Sequence, residues 1–268
     1  MKSAAGIIAL TVVVSAEPIG AQWLNHPERG APRTKDGKVN LSARAPKRPD
    51  GKPDLSGIWR AEPDPLGKPE NVEYEIFPRY FANIAKDLKP EDLVLRPPAD
   101  AKLKERLADL GKNAPEAHCV PVGVPGITTF PIPFKIVQMP RLIIMLFEKD
   151  TTYRQIFMDG RKLPEDPNPS FMGYSVGRWE GDALVVESTG FRDEGWLDRM
   201  GHPHSDHLHL TERYRRRDFG HMSIEMTIDD ANTYAKPFTY TQPAVLLPDT
   251  DLLEYFCTDN EKDVRHFK

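Results

Sequence analysis

Only two cysteines, Cys119 and Cys257, occur in the 268 residues. There is no CxxC pair, which excludes a zinc ribbon, a thioredoxin-type redox centre and a covalently attached haem. No glycine-rich phosphate loop sits between a strand and a helix, so no nucleotide and no covalent cofactor are expected. Basic blocks are missing as well: the net charge is −4, and a mildly acidic chain is a poor partner for nucleic acid. The one long apolar run, Ala4 to Val14, lies at the N-terminus. It is shorter than the roughly 20 residues a membrane-spanning helix needs, so no transmembrane segment is expected in the mature chain.

That run fits a secretory signal peptide. Lys2 precedes it, and small residues follow at Ala16 and at Gly20-Ala21. Residues 1–21 are read as the peptide, with cleavage after Ala21 or, as second choice, after Ala16. The competing reading is a buried N-terminal strand. Export places the mature chain in the periplasm or outside the cell. In an oxidising compartment a pair of cysteines points to a Cys119–Cys257 disulfide. The loop it closes is long, and chain entropy assigns such a bridge about 4–5 kcal/mol, less any strain. The alternative is a nucleophilic Cys119 beside His118, but adjacent side chains point in different directions.

Proline is abundant: 26 residues, 19 of them between Pro18 and Pro140. Residues 22–53 lack apolar periodicity and read as an extended or disordered arm. Residues 60–98 are broken by prolines and read as irregular structure, with Tyr74 to Phe77 and Tyr80-Phe81 as apolar anchors. One surface helix opens at Pro98-Ala99-Asp100 and ends at Gly111, packed by Leu103, Leu107 and Leu110. From Phe134 onward the pattern is β. Strands are expected at Phe134–Met139, Leu142–Phe147, Tyr153–Met158, Tyr174–Trp179, Ala183–Ser188, Leu208–Arg217, His221–Asp229, Lys236–Gln242 and Leu252–Cys257. Leu142–Phe147 is apolar on both faces and reads as a buried central strand. Arg213, Arg215, Arg216 and Arg217 read as a solvated face. Successive hairpins favour an antiparallel meander, and closure hides its edges. The expected fold is mainly β, a meander closing into a calycin- or lipocalin-like barrel over one domain, residues 54–268; a β-sandwich is the alternative.

Three segments carry a resemblance. They are Pro53-Asp54-Leu55-Ser56-Gly57-Ile58-Trp59, then Gly173 to Asp182 (GYSVGRWEGD) with Leu184 to Phe191 (LVVESTGF), then Gly201 to Ser205 with Thr211 to Arg213 and Arg215 to His221. Together they resemble a family of uncharacterised exported bacterial proteins, and the resemblance implies no activity. Gly57-Ile58-Trp59 is also similar to the G-x-W of lipocalin-like barrels. That resemblance implies a first strand whose Trp plugs one barrel end, and a cavity for a ligand.

Five of the eight histidines fall between His202 and His221. In an extended segment His202, His204 and Asp206 share one face and His207 and His209 the other. Two imidazoles and a carboxylate can hold zinc or iron, or act without metal as an acid/base pair. Asp198, four residues before His202, is placed to orient a ring. A structural or solvated role is the competing reading. Arg154, Tyr174, Trp179 and Trp196 are candidate contacts for a small-molecule substrate. Gly173-x-Ser175-x-Gly177 matches a hydrolase nucleophile motif, but strands flank it and no helix follows. The leading expectation is an exported enzyme (a lyase, isomerase or hydrolase) using His202, His204, Asp198 and Asp206 on a small, partly apolar molecule. No cofactor is expected, with zinc or iron as the option. The alternatives are a non-catalytic carrier of a small hydrophobic ligand and an envelope interaction protein using the Pro-rich arm.

Overall fold

The computed structural model describes residues 26–63 and 78–257; the signal-peptide segment and the Tyr74–Phe77 anchor lie outside them. Nine strands form one closed barrel in sequence order. They are β1 (Gly57–Ala61), β2 (Phe134–Gln138), β3 (Leu142–Phe147), β4 (Thr152–Phe157), β5 (Tyr174–Glu180), β6 (Ala183–Thr189), β7 (His209–Arg216), β8 (His221–Asp229) and β9 (Phe238–Leu246). The sandwich alternative is thereby excluded. Period-two alternation builds the wall. On β8, Met222, Ile224, Met226 and Ile228 are buried, while Ser223, Glu225 and Thr227 face outward.

One strand assignment changes: Leu252–Cys257 is irregular. The first strand, Gly57–Ala61, carries the G-x-W residues. β3 is not buried on both faces either. Ile143, Met145 and Phe147 point inward, whereas Leu146 is 37 % exposed on the outer wall. The meander is also not wholly antiparallel, since β4 and β5 run parallel. Directions around a closed ring can reverse only an even number of times, so nine strands require a parallel contact. Here there is one, bridged by the stretch from Met158 to Gly173; parallel neighbours need a connection of that kind.

One barrel end is plugged by Trp59, which is fully buried. Its Nε1 donates to the Leu55 carbonyl at 3.0 Å. Arg216 lies 4.9 Å over its ring and donates to the carbonyls of Asp54 and Phe219. This corrects the solvated reading for Arg216. Burial lowers its guanidinium to about 10, still a cation at neutral pH. The arm covers the same end, with the Phe219 N–H donating to the Ala43 carbonyl and the Gly220 N–H to the Leu41 carbonyl, both at 2.7 Å.

Inside the wall sits a charge pair. Arg154 on β4 and Glu212 on β7 both have side chains with no exposed surface. Arg154 donates to Glu212 through both terminal nitrogens, to Ser175 Oγ at 3.0 Å and to Ser188 Oγ at 2.8 Å. Tyr214 Oη donates to Glu212 at 2.8 Å. Burial, the largest influence, pulls the guanidinium down, but Glu212 and Tyr214 together hold it above its usual value.

The helices sit outside the barrel: α1 (Arg79–Ala82) and α2 (Pro97–Ala108). α2 is not held by leucines. Leu107 is 40 % and Leu110 89 % exposed, while Ala99 and Arg106 are the buried positions. No helix of the described residues is long and apolar enough to cross a membrane. Cys119 and Cys257 are bonded, with Cα atoms 5.5 Å apart.

Two outcomes are expected. Glu212→Leu strands a buried cation and lowers stability in urea unfolding by about 3–5 kcal/mol, and adding Arg154→Met restores most of it. Cys119→Ser lowers stability by about 2–5 kcal/mol on the same assay.

Candidate functional site

The loop from Gly190 to Leu208 joins β6 to β7 across the barrel end opposite Trp59. Phe191, Trp196, Leu197 and Leu208 anchor it in the core. Asp198 organises its middle. Its Oδ1 accepts the Gly201 N–H at 3.1 Å and the His202 N–H at 3.2 Å. Its Oδ2 accepts the Ile84 N–H at 2.7 Å and lies 2.6 Å from His202 Nδ1. A carboxylate at Nδ1 keeps the proton there, so Nε2 of a neutral His202 presents a lone pair. Nε2 has no hydrogen-bond partner among the described residues. Asp198 and His202, four residues apart, are thus brought into direct contact.

His204 is equally buried. Its Nδ1 lies 3.1 Å from the Ser205 carbonyl, to which it donates, and its ring stands edge-on to Phe191 at 6.3 Å. Burial lowers its pKa below the usual value, so it stays neutral.

Asp206 does not join the two histidines. It is exposed and pairs with His207 Nδ1 at 2.7 Å. Pro203 interrupts the extended repeat, and Asp230 turns the chain by accepting the Ser205 N–H at 2.6 Å and the Ser205 hydroxyl at 2.8 Å. The His202–His204–Asp206 set is therefore not assembled. Among the described residues no group of three or more His, Cys, Asp or Glu is arranged to hold a metal.

Several partners of this loop carry no pattern in sequence. Arg106 Nη1 donates to the Gly201 carbonyl at 2.9 Å, and its guanidinium stacks 4.7 Å over Trp196. Trp196 is therefore covered by α2. Tyr234 Oη donates to the Pro203 carbonyl at 2.8 Å. Tyr240, on β9, is buried with its hydroxyl unpartnered among the described residues. Burial, then the fields of Asp198 and Glu212, push that hydroxyl up, so it remains an O–H donor.

The second place is a slot in the barrel wall. β4 and β5 pair only at Ile156↔Ser175 and Phe157↔Val176. Above that contact a cavity of about 450 Å³ opens, lined by Thr151 to Gln155, Phe157, Pro121 and Ser170 to Tyr174. The chain before β5 is drawn away from β4. The Ser170 N–H donates to the Gly190 carbonyl and the Phe171 carbonyl accepts from Val124, both at 2.9 Å. Gly173 has φ +64°, and a Cβ there would run into the Phe191 ring. Only a glycine makes this left-handed step against the ring at no steric cost.

Tyr174 lines the slot and its hydroxyl accepts from Arg161 Nη1 at 3.0 Å. Arg154 borders it, but its side chain is wholly interior and engaged with Glu212, so only its main chain faces the cavity. Trp179 packs half-buried against the core. Neither tryptophan lines the slot. Ser175 of the G-x-S-x-G match is an interior strand residue bonded to Arg154 and Ser188. His118 Nε2 lies 3.0 Å from the Lys112 carbonyl, away from any thiol chemistry.

No family model, no curated protein and no solved structure matches this chain.

A buried neutral His204 makes stability depend on pH. Its folded pKa lies below the unfolded value near 6.5. Its contribution is complete above that value and is lost as pH falls through the folded pKa, because the unfolded chain takes up the proton first. Urea midpoints measured from pH 7.5 to about pH 5 are expected to fall, and to fall less steeply in His204→Gln.

Proposed function

We propose that this chain is an exported binding protein that holds a small, partly apolar molecule in the slot between β4 and β5. One observation carries the reading: a cavity of about 450 Å³ whose lining combines Tyr153, Phe157, Phe171, Met172 and Tyr174 with Thr151 and Thr152. That is the volume and mixture of an ordinary small-molecule site. The cations near it are already matched, Arg161 by Asp159 and Arg192 by Glu194, which favours an uncharged ligand. The Cys119–Cys257 bond supports a life outside the reducing cytosol. Membership of the exported family with the PDLSGIW and GYSVGRWEGD motifs is part of the same proposal.

A specific observation favours a second reading, acid/base catalysis by His202. The 2.6 Å bond to Asp198 fixes the tautomer and leaves Nε2 without a partner among the described residues, the arrangement a general base requires. A lyase, isomerase or hydrolase reaction fits it.

One set of variants separates the two. A thermal-shift screen with uncharged aromatic and aliphatic compounds is expected to yield ligands whose stabilisation is lost in Tyr174→Ala and kept in His202→Ala. Turnover of a screened compound that disappears in His202→Ala, while Tyr174→Ala still turns it over, would replace binding with catalysis.

A further inference from the structure

Main-chain groups, as well as side chains, line the slot. Their direction follows from the β3–β4 register. Arg141 and Met158 lie one step beyond the last pair of that ladder, Leu142 and Phe157, and the Met158 N–H donates to the Arg141 carbonyl at 2.9 Å. In an antiparallel pair the residues that bond across alternate with those that do not. Thr152, Arg154 and Ile156 therefore turn their main-chain groups toward β3. Tyr153, Gln155 and Phe157 turn theirs toward β5. There, Ser175 stands opposite Ile156. In a parallel ladder it serves the residues on either side, taking up the Gln155 carbonyl and the Phe157 N–H. The Tyr153 N–H, the Tyr153 carbonyl and the Gln155 N–H are left over. None of the hydrogen bonds of the described residues takes them up. They form a short free strand edge at the side of a cavity, with Phe171, Met172 and Tyr174 on the facing wall.

A small apolar molecule has no use for donor, acceptor and donor at strand spacing. An extended peptide does. Added beside β4, two of its residues meet all three groups, and its alternate side chains meet the aromatic wall, the pattern of strand addition. We propose that the slot takes a short, uncharged, extended peptide, held by the main chain of Tyr153 and Gln155 and by Phe171 and Tyr174. This rests on the reading of the slot as the ligand site and names the ligand's class. No ion pair is offered to a charged terminus, because the nearby Arg161 and Arg192 are engaged with Asp159 and Glu194; the ligand is therefore an internal or capped segment.

The test titrates the full mature protein with acetyl-Val-Ala-Val-amide, with the same peptide N-methylated at its amides, and with N-phenylnaphthylamine, an uncharged aromatic dye lacking an amide. Binding is followed by backbone amide NMR. Saturable binding of the capped peptide is expected, with the Tyr153 and Gln155 amides among the most shifted. N-methylation weakens it about ten-fold or more, since each lost hydrogen bond counts. Tyr153→Pro removes an N–H that none of the described residues uses, and an edge position tolerates proline. It is expected to keep the thermal midpoint and weaken the peptide, not the dye. Equal binding of the N-methylated peptide, or dye binding abolished by Tyr174→Ala with no peptide binding, overturns the peptide class and leaves the slot as a small-molecule site. If neither probe binds in a way that Tyr174→Ala abolishes, the slot itself is overturned.

Discussion

Closure of an odd number of strands governs this structure. A ring of nine cannot be antiparallel throughout, and the one parallel contact falls between β4 and β5. That contact is short because the chain returning from β4 is held elsewhere. Ser170 is bonded to Gly190, Phe171 to Val124, and Gly173 is pressed against Phe191. The wall is thus thin where the chain must reverse its habit. Behind this seam the barrel holds its most polar interior: Arg154, Glu212, Tyr214, Ser175 and Ser188 link four strands across and beside the parallel pair. An interior made only of hydrocarbon would leave the seam to two register pairs. The charged network ties β4 to β5, β6 and β7 through side chains instead.

The two ends of the barrel are closed by different chemistry. At one end a single indole and a guanidinium fill the opening, and the carbonyls of Asp54 and Phe219 satisfy the cation. At the other a loop folds inward around a carboxylate that accepts three backbone N–H groups and an imidazole. Asp198 therefore shapes the loop as well as orienting His202. Removing it disturbs both, so His202 and Tyr174 are the cleaner probes of function.

Sequence pattern made the barrel readable because each inward position is apolar at period two, most plainly on β8. The pairing of Cys119 with Cys257 and the link between Asp198 and His202 were readable from count and spacing. Other features had no such signal. A parallel pair looks like any other pair of strands until the ring is counted, and Gly57–Ala61 is too short to advertise itself apart from Trp59. Arg106 and Arg154 are buried against partners far away in sequence, Arg216 partly so through Asp54 and Trp59, and a lone arginine carries no periodicity. The leucines of α2 misled for the converse reason: a stripe predicts a face, but Arg106, between Leu103 and Leu107, found the better contact in Trp196 and Gly201. Asp206 missed its histidines because Pro203 and the Ser205–Asp230 bonds break the alternation that would have aligned them.

The seal between β1 and β9 joins Trp59 to Leu246 and Ala61 to Ala244. These partners stand at the two ends of the barrel sequence, the first strand paired with the last. Contacts of that span slow folding, because a large loop must close before the pairing repays it. Until β9 is available, β1 and β8 remain open edges, and open edges recruit other chains. The ring is therefore complete only when the whole barrel sequence is present at once. A chain delivered piecemeal, or truncated before Ala244, is left as an open sheet with two adhesive margins.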